Sequence, residues 1–578
     1  MAALLPALFG ISCATSEPAP DSGGTGTPGI IYLLEPRLDG AKPALHVELV
    51  FRGEQSGTTR LLLPHSWASQ HELERGVHDL RVLTRGAELR ESDDPHVRTV
   101  THAPGQVIRV SYDLRQDWEG LPAKNERYYR PILQDDYFHF IGHAAFVHPA
   151  WDEAEPRPIT LRWNKLPEDW ELLDSLGARA VSQSAELPLR WLLHSVFFLG
   201  ELRVQELKVE GKPVWLALHG KWKFPDAELA RLLSRIMTAQ RRFWNDDDFP
   251  YFLVTVLSVE HECCSLAGTG LFNSFATFVS DDLAIDSRLK HLLAHELFHT
   301  WNGRRIVRQE PEERMYWFSE GFTDYYTRLL NLRAGLIDLP EYVRDYNAAL
   351  RQYFTSPVRD EGNERVLADF WNDPDVERLP YLRGDILAHN WNAEIRARGV
   401  PNKKIFSRSD VSLDDVMRDL LKAAQSKGTL VSPQSLESLL KPYLARSVSA
   451  DLRKYIDKGE TLRPSERSLG PCARLMPRWL PRFDLGFDDV SSKRTHVVAG
   501  VYKGGAAWRA GLRDGQLLQA WSIETGNAEK PVELTVVDHK GRRTLRFLPA
   551  GKRARVPQFR LDAEKLKRDP RACLAWFG

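Results

Sequence analysis

The chain has 578 residues, with 78 Lys plus Arg set against 78 Asp plus Glu, 43% hydrophobic and 27% charged residues. That length exceeds one ordinary core, so two to four domains are expected. The even charge balance supplies no bulk field for nucleic acid or an anionic membrane, so nucleic acid is not an expected partner and ligands must be sought in local sites.

The opening stretch Met1–Cys13 (MAALLPALFGISC) is apolar and too short to span a bilayer. Residues 14–29 are rich in Ser, Gly, Pro and Thr, so 1–29 reads as a signal-like segment followed by a flexible tether. Cys13 directly after Ser12 resembles a bacterial lipoprotein signal. The expectation is an exported protein, periplasmic or anchored at the outer membrane through a lipid on Cys13; a frayed N-terminus is the plain alternative.

From residue 30 the pattern alternates apolar and polar, as in Ile30-Ile31-Tyr32-Leu33, His46-Val47-Glu48-Leu49-Val50 and Val107-Ile108-Arg109-Val110. Pro and Gly break these runs into short pieces, which predicts a β-sandwich-like domain over 30–185. Residues 186–465 are mixed. Ala227–Trp244 has helical periodicity, Tyr251–Val259 and Phe272–Val279 read as strands, and helical patterns follow at 284–302, 317–334, 338–353, 381–397, 412–424 and 433–442. A small sheet followed by a helical lobe makes the chain an α+β multidomain protein. Alternation returns over 482–565, after Pro471, Pro477 and Pro481, as a separate small β-rich domain. Cys472 and Cys573 bracket that domain and are candidates for a disulfide; the adjacent Cys263 and Cys264 read as packed small hydrophobes.

The chemistry concentrates in His291-Leu-Leu-Ala-His295-Glu296-Leu-Phe-His299-Thr-Trp301. Positions four apart on a helix lie one above the other, so His295 and His299 can reach one ion. Glu296 then lies beside it, placed to contact a metal-activated water as a base without ligating. Imidazole and carboxylate ligands with one open position suit zinc, one ion per chain. In Trp317-Phe318-Ser319-Glu320-Gly321-Phe322-Thr323-Asp324, a helix bearing Glu320 can supply the third ligand. Asp324 is one turn further and faces the same way, ready to accept the free ring N–H of a liganding histidine, most simply His295.

His-Glu-x-x-His followed by WFSEGFTDYY resembles the glycyl aminopeptidase-like family of zinc metallopeptidases, of the gluzincin clan with its thermolysin-like catalytic domain. The N-terminal β domain, the run Trp301-Asn302-Gly303-Arg304-Arg305-Ile306 and a C-terminal PDZ-like domain follow the family order. Tyr381-Leu-Arg-Gly384 resembles the family's Tyr-x-x-Gly helix, and Ser412–Arg418 its later helical signature. The resemblance implies peptide hydrolysis, with Glu296 as general base and the Tyr381 phenol stabilising the oxyanion.

The same resemblance implies an aminopeptidase, whose glutamate anchors the substrate amine. Here the equivalent segment is Ala267–Ser274, and Gly270 occupies the glutamate's place. Glu260 and Glu262 lie upstream as conceivable substitutes. The stretch at 268–274, with Gly268, Gly270 and Asn273, is instead expected to bind an extended peptide by its backbone, as an endopeptidase does. Within 482–565, Asp484-Leu485-Gly486-Phe487 resembles a PDZ carboxylate-binding loop for a peptide C-terminus, and Gly505–Leu512 its turn and short helix. Two rivals remain: a peptide-binding scaffold with a vestigial metal site, and a zinc hydrolase with a non-peptide substrate.

Overall fold

The structure is a computed structural model, and it describes residues 29–68, 70–121, 128–177, 179–259, 266–398, 411–524 and 526–578. Cys13, Glu260, Glu262, Cys263 and Cys264 lie outside them. The described chain divides into two units, one running to Leu202 and the other from Arg203 to Gly578.

The first unit is built almost entirely of strands. A six-stranded sheet has the order Ser182–Pro188, Pro156–Trp163, Ile30–Arg37, Ala44–Arg52, Val107–Arg115, Val77–Val82, with Ile30–Arg37 parallel to Pro156–Trp163. Two four-stranded sheets complete it. Alternation works as expected in Ile30–Arg37, where every second side chain is buried. The inward residues Ile30, Tyr32, Leu34, Val47, Leu49, Ile108 and Val110 join Phe140, Phe146 and Phe197 in one core.

In the second unit a five-stranded sheet has the order Arg203–Val209, Lys212–His219, Phe252–Val259, Ser274–Ser280, Leu266–Leu271. Its three inner strands are parallel, and Leu266–Leu271 is an edge strand antiparallel to Ser274–Ser280. The two are joined by a two-residue turn, Phe272-Asn273, with Asn273 at φ +45°, a left-handed backbone that asparagine tolerates. Phe272 and Asn273 therefore lie outside the strand predicted to begin there.

Helices Ser287–Phe298, Tyr316–Arg333, Leu339–Thr355, Pro374–Arg398, Leu413–Lys427 and Pro433–Leu444 form the lobe. Nearly every residue of Tyr316–Arg333 is buried, so this helix is the lobe's axis rather than an amphipathic surface element. The helix expected over 381–397 starts one and a half to two turns earlier, at Pro374, and runs through Pro380. A proline in a helix loses one backbone bond, and here the buried Val376, Leu379, Leu382 and Ile386 hold the helix together across it.

The C-terminal region has its own small core, with Leu485, Phe487, Val498, Leu512, Leu534 and Val536. A ribbon of Ala473–Phe483 paired with Ala550–Leu561 ties it to the helical lobe. Asn347 on Leu339–Thr355 donates to the Phe559 carbonyl at 2.8 Å and accepts from the Phe559 N–H at 2.7 Å. Cys472 and Cys573 are disulfide-bonded, closing a loop with a sequence separation of 101.

Candidate metal centre

Asp286 caps the helix Ser287–Phe298, accepting from the N–H groups of Arg288 and Leu289. Leu289, Leu293 and Leu297, each four residues apart, bury one side of it. Across from that row stand His291, His295 and His299, at the same step of four. The Tyr316–Arg333 helix packs alongside and brings up Glu320 and Asp324.

His295 Nε2, His299 Nε2 and Glu320 Oε2 form a triangle. The two nitrogens are 3.0 Å apart, and the carboxylate oxygen is 3.4 Å from His295 and 3.1 Å from His299. Three ligands bound tetrahedrally at zinc distances are about 3.3 Å from one another. The opposite ring nitrogens settle which atoms carry protons. His295 Nδ1 lies 2.9 Å from Asp324 Oδ1, and His299 Nδ1 lies 3.0 Å from the Asn302 carbonyl. A carboxylate and a carbonyl only accept, so each Nδ1 is the N–H donor and each neutral ring turns a lone pair inward from Nε2. With both rings neutral, two lone pairs and a carboxylate oxygen face one another with no proton among them. Such an arrangement calls for a cation, and two imidazoles with one carboxylate suit zinc.

The charge balance points the same way. Burial disfavours the His295 imidazolium, yet its hydrogen bonds to the Asp324 and Glu320 carboxylates raise its pKa to about 10, so without an ion a proton is drawn onto the ring in its place. Burial works against ionised Glu320 and Asp324 too, yet the neighbouring histidines hold both carboxylates well below the usual range. The carboxylates leave the site short of positive charge, which a divalent ion would supply.

Glu296 is buried, and burial pushes its pKa up; the two histidines oppose this, as does the Gly270 N–H, which donates to its carboxylate. The edge strand Leu266–Leu271 runs against this helix so closely that side chains would not fit. A Cβ on Gly268 would lie 2.8 Å from Glu296 Cγ, and one on Gly270 would lie 3.3 Å from His299 Cβ. Gly268 and Gly270 are thus beside the trio. Asn273 is in the hairpin turn, where its carbonyl accepts from the Leu253 N–H at 2.9 Å. Tyr381, on Pro374–Arg398, stacks near-parallel on the His295 ring at 5.9 Å between centroids. Burial, then Glu320, hold its phenol well above the ordinary tyrosine range, so it stays protonated as a donor.

Three neighbours carry signals that motif reading passes over. His291 Nε2 lies 2.9 Å from the same Asp324 Oδ1, so one carboxylate oxygen serves two histidines. Its signal is its place one step of four before His295 on the same helix. Asn302, besides receiving His299, donates through Nδ2 to the Ser319 carbonyl and to Thr323 Oγ1, both at 3.1 Å. It fastens the loop after the histidine helix to the Glu320 helix. Arg304 comes within 3.8 Å of the Cβ position of Gly270, and its Nη1 is buried with no hydrogen-bond partner among the described residues.

Leu485 and Phe487 are buried in the small C-terminal core. Between them Gly486, at φ +81°, donates its N–H to Asp484 Oδ1 at 3.0 Å. A carboxylate of the chain itself therefore takes that amide.

A family model described as M61 glycyl aminopeptidase matches residues 288–366, which carry the histidine helix and the Glu320 helix. No curated protein matches the sequence. Among solved structures, an aminopeptidase N family protein from Idiomarina loihiensis aligns over 95% of this chain and 100% of its own, with a TM-score of 0.68 at 16% identity. The fold is therefore shared with that protein along almost the whole chain. An M1 zinc metallopeptidase from Deinococcus radiodurans covers 76% of this chain and 95% of its own at 16% identity and a TM-score of 0.46. Yeast LTA4 hydrolase with bestatin covers 76% and 68% at 14% identity and a TM-score of 0.48. At those scores the last two add no argument.

Proposed function

We propose that the protein is a zinc-dependent metallopeptidase in which His295, His299 and Glu320 hold the ion and Glu296 is the general base. The observation that carries this reading is the triangle of three acceptor atoms with both opposite ring nitrogens occupied as donors. An ion bound there would supply Lewis acidity, lowering the pKa of a water towards neutrality. Glu296, with its raised pKa, takes a proton from the attacking water and delivers it to the departing amine. The Tyr381 O–H, kept protonated beside His295, donates to the oxyanion that develops on the scissile carbonyl. Asp324 keeps His295 in the tautomer that presents Nε2.

The substrate is an extended peptide laid along the partly buried strand Leu266–Leu271, which lies at the end of the sheet's strand order beside Glu296. Amine anchoring is not part of the proposal. Gly270 offers no carboxylate, and Arg304 next to it is a cation that repels an ammonium group. Internal cleavage follows.

Glu296→Gln tests the chemistry: stoichiometric zinc is expected to stay while peptide turnover drops by roughly 10²-fold or more. Full turnover in that variant rules out the base, and loss of zinc rules out a purely catalytic role. Parallel digestion of a peptide and its N-acetylated form is expected to give equal rates. A strict demand for a free amine would return the reading to an aminopeptidase.

A further inference from the structure

The first unit holds a second group of side chains with the same electronic defect as the metal centre. His65 follows the strand Thr58–Leu62, Glu74 sits on the short turn Leu73–Gly76, and His96 immediately precedes the strand Val97–Thr101. One ligand atom from each lies within 4.8 Å of the others. The His65 and His96 rings are 3.4 Å apart between centroids.

The protons are again assigned by outer partners. His96 Nε2 lies 2.8 Å from Asp94 Oδ1, and that carboxylate is anchored by accepting the His96 backbone N–H at 3.1 Å. Nε2 is therefore the donor, and Nδ1 is left with a lone pair. His96 Nδ1 and Glu74 Oε2 are both buried atoms without a hydrogen-bond partner among the described residues. Among the described residues no Lys or Arg pairs with Glu74, and the adjacent Arg75 is engaged by Glu72 at 2.9 Å. A buried acceptor without a donor costs about 1–3 kcal/mol, and more when charged, so two of them in one cluster need an account.

The frame is rigid. The Leu73 N–H donates to the His65 carbonyl at 2.9 Å and the Leu63 N–H to the His96 carbonyl at 2.8 Å, which ties the three segments together by backbone bonds. His65 is exposed, while His65 and His96 also line a cavity of about 240 Å³ with His143, His148 and Glu153. The cluster is thus reachable from solvent on one side and lined by further imidazoles on another.

We propose that His65, Glu74 and His96 form a second divalent metal site, separate from the His295 centre, that takes a zinc-class ion. Two imidazoles and one carboxylate select zinc over magnesium or calcium, which prefer all-oxygen shells. The ion satisfies both orphaned acceptors at once, and Asp94 plays towards His96 the part that Asp324 plays towards His295.

The test uses the full chain, stripped with a chelator and titrated with Zn²⁺, bound metal being counted by elemental analysis after gel filtration. Wild type is expected to hold two ions. His299→Ala is expected to hold one, which His65→Ala combined with Glu74→Gln then removes. In the wild-type background that pair is expected to leave one ion, held at the His295 centre. His65 is exposed and Glu74→Gln is isosteric, so circular dichroism should be unchanged and lost zinc cannot be ascribed to unfolding. With Co²⁺ in place of Zn²⁺, visible absorption bands should persist in His299→Ala and vanish in the combined variant. A His299→Ala chain with no tightly held ion, or a His65→Ala/Glu74→Gln chain that binds as many ions as wild type, overturns the site.

Discussion

Gly384→Ala should disable the metal centre without touching any ligand. The helices Tyr316–Arg333 and Pro374–Arg398 meet at Gly321 and Gly384, adjacent in the first case to Glu320 and one turn from Tyr381 in the second. A Cβ built on Gly384 lies 1.7 Å from the Trp317 carbonyl oxygen, and one on Gly321 lies 2.3 Å from Gly384 Cα. Real Cβ contacts stay above about 3.0 Å, so the alanine must push the two backbones apart by about 1.3 Å, the difference between 3.0 and 1.7. The obstacle is main chain in both directions, so no rotamer change relieves it.

Overpacking of this kind costs about 1–3 kcal/mol in stability. The larger effect falls on Glu320, whose oxygen must reach a metal within about 0.2 Å of its ideal distance. A shift near 1 Å should weaken zinc by roughly 10²-fold, read by competition with a chromogenic chelator, and cut peptide turnover by a similar factor. Ala388→Gly, one turn further along the same helix, is the control. It destabilises by about 1–2 kcal/mol through propensity and a lost methyl, yet leaves the crossing distance alone, so its zinc affinity should match wild type. Gly384→Ala protein with normal zinc affinity and a normal melting curve would refute the idea that this crossing sets the ligand triangle.

Asp324→Asn should lower zinc affinity roughly 10- to 100-fold while His295 and His299 stay in place, measured by the same competition. Unaltered affinity would mean that the His295 tautomer is fixed by something else. His139, fully buried on Tyr137–Ile141, has its pKa lowered to about 3 by burial alone, against an ordinary value of 6.5. Above 6.5 neither state takes the proton; below it only the unfolded chain does, so stability is lost as pH falls. The loss attributable to this residue is roughly 2 kcal/mol between pH 7 and pH 5, and urea melts of His139→Leu should show a pH dependence shallower by that amount. The Cys472–Cys573 bond closes a loop with a separation of 101. Cys472→Ser with Cys573→Ser should therefore cost about 4–5 kcal/mol by the chain-entropy account, read from denaturant midpoints with and without reductant.

What the sequence reveals of this site is what lies along one helix. The step of four that aligns His295 with His299 is visible as spacing, and so is the partnering of Glu320 with Asp324 one turn later. The proton assignment that makes the triangle a candidate cation site is not visible. It depends on the carbonyl of Asn302, an ordinary backbone atom whose position is set by a loop fastened to another helix. Gly270 reads in the sequence as a missing amine anchor, and Gly268 as part of the peptide-binding stretch. In the structure both positions press so closely on Glu296 and His299 that even a methyl group crowds them. Pro380 marks a helix boundary in the sequence, but packing of the residues around it carries the helix through.

The same contrast explains why the two proposed metal sites differ so much in legibility. His295, His299 and Glu320 come from two long helices whose periodicity survives in the one-dimensional pattern. His65, Glu74 and His96 are separated by nine and twenty-two positions in a region of strands and turns, where spacing carries no information about convergence. Their meeting is produced by two cross-segment backbone hydrogen bonds and by Asp94 turning one ring. A β unit hides such a site because strand pairing joins residues remote in sequence, whereas a helix advertises one because its own geometry does the joining. In both places the decisive evidence is the same: acceptor atoms brought together with no donor between them, a condition that only three-dimensional proton bookkeeping exposes.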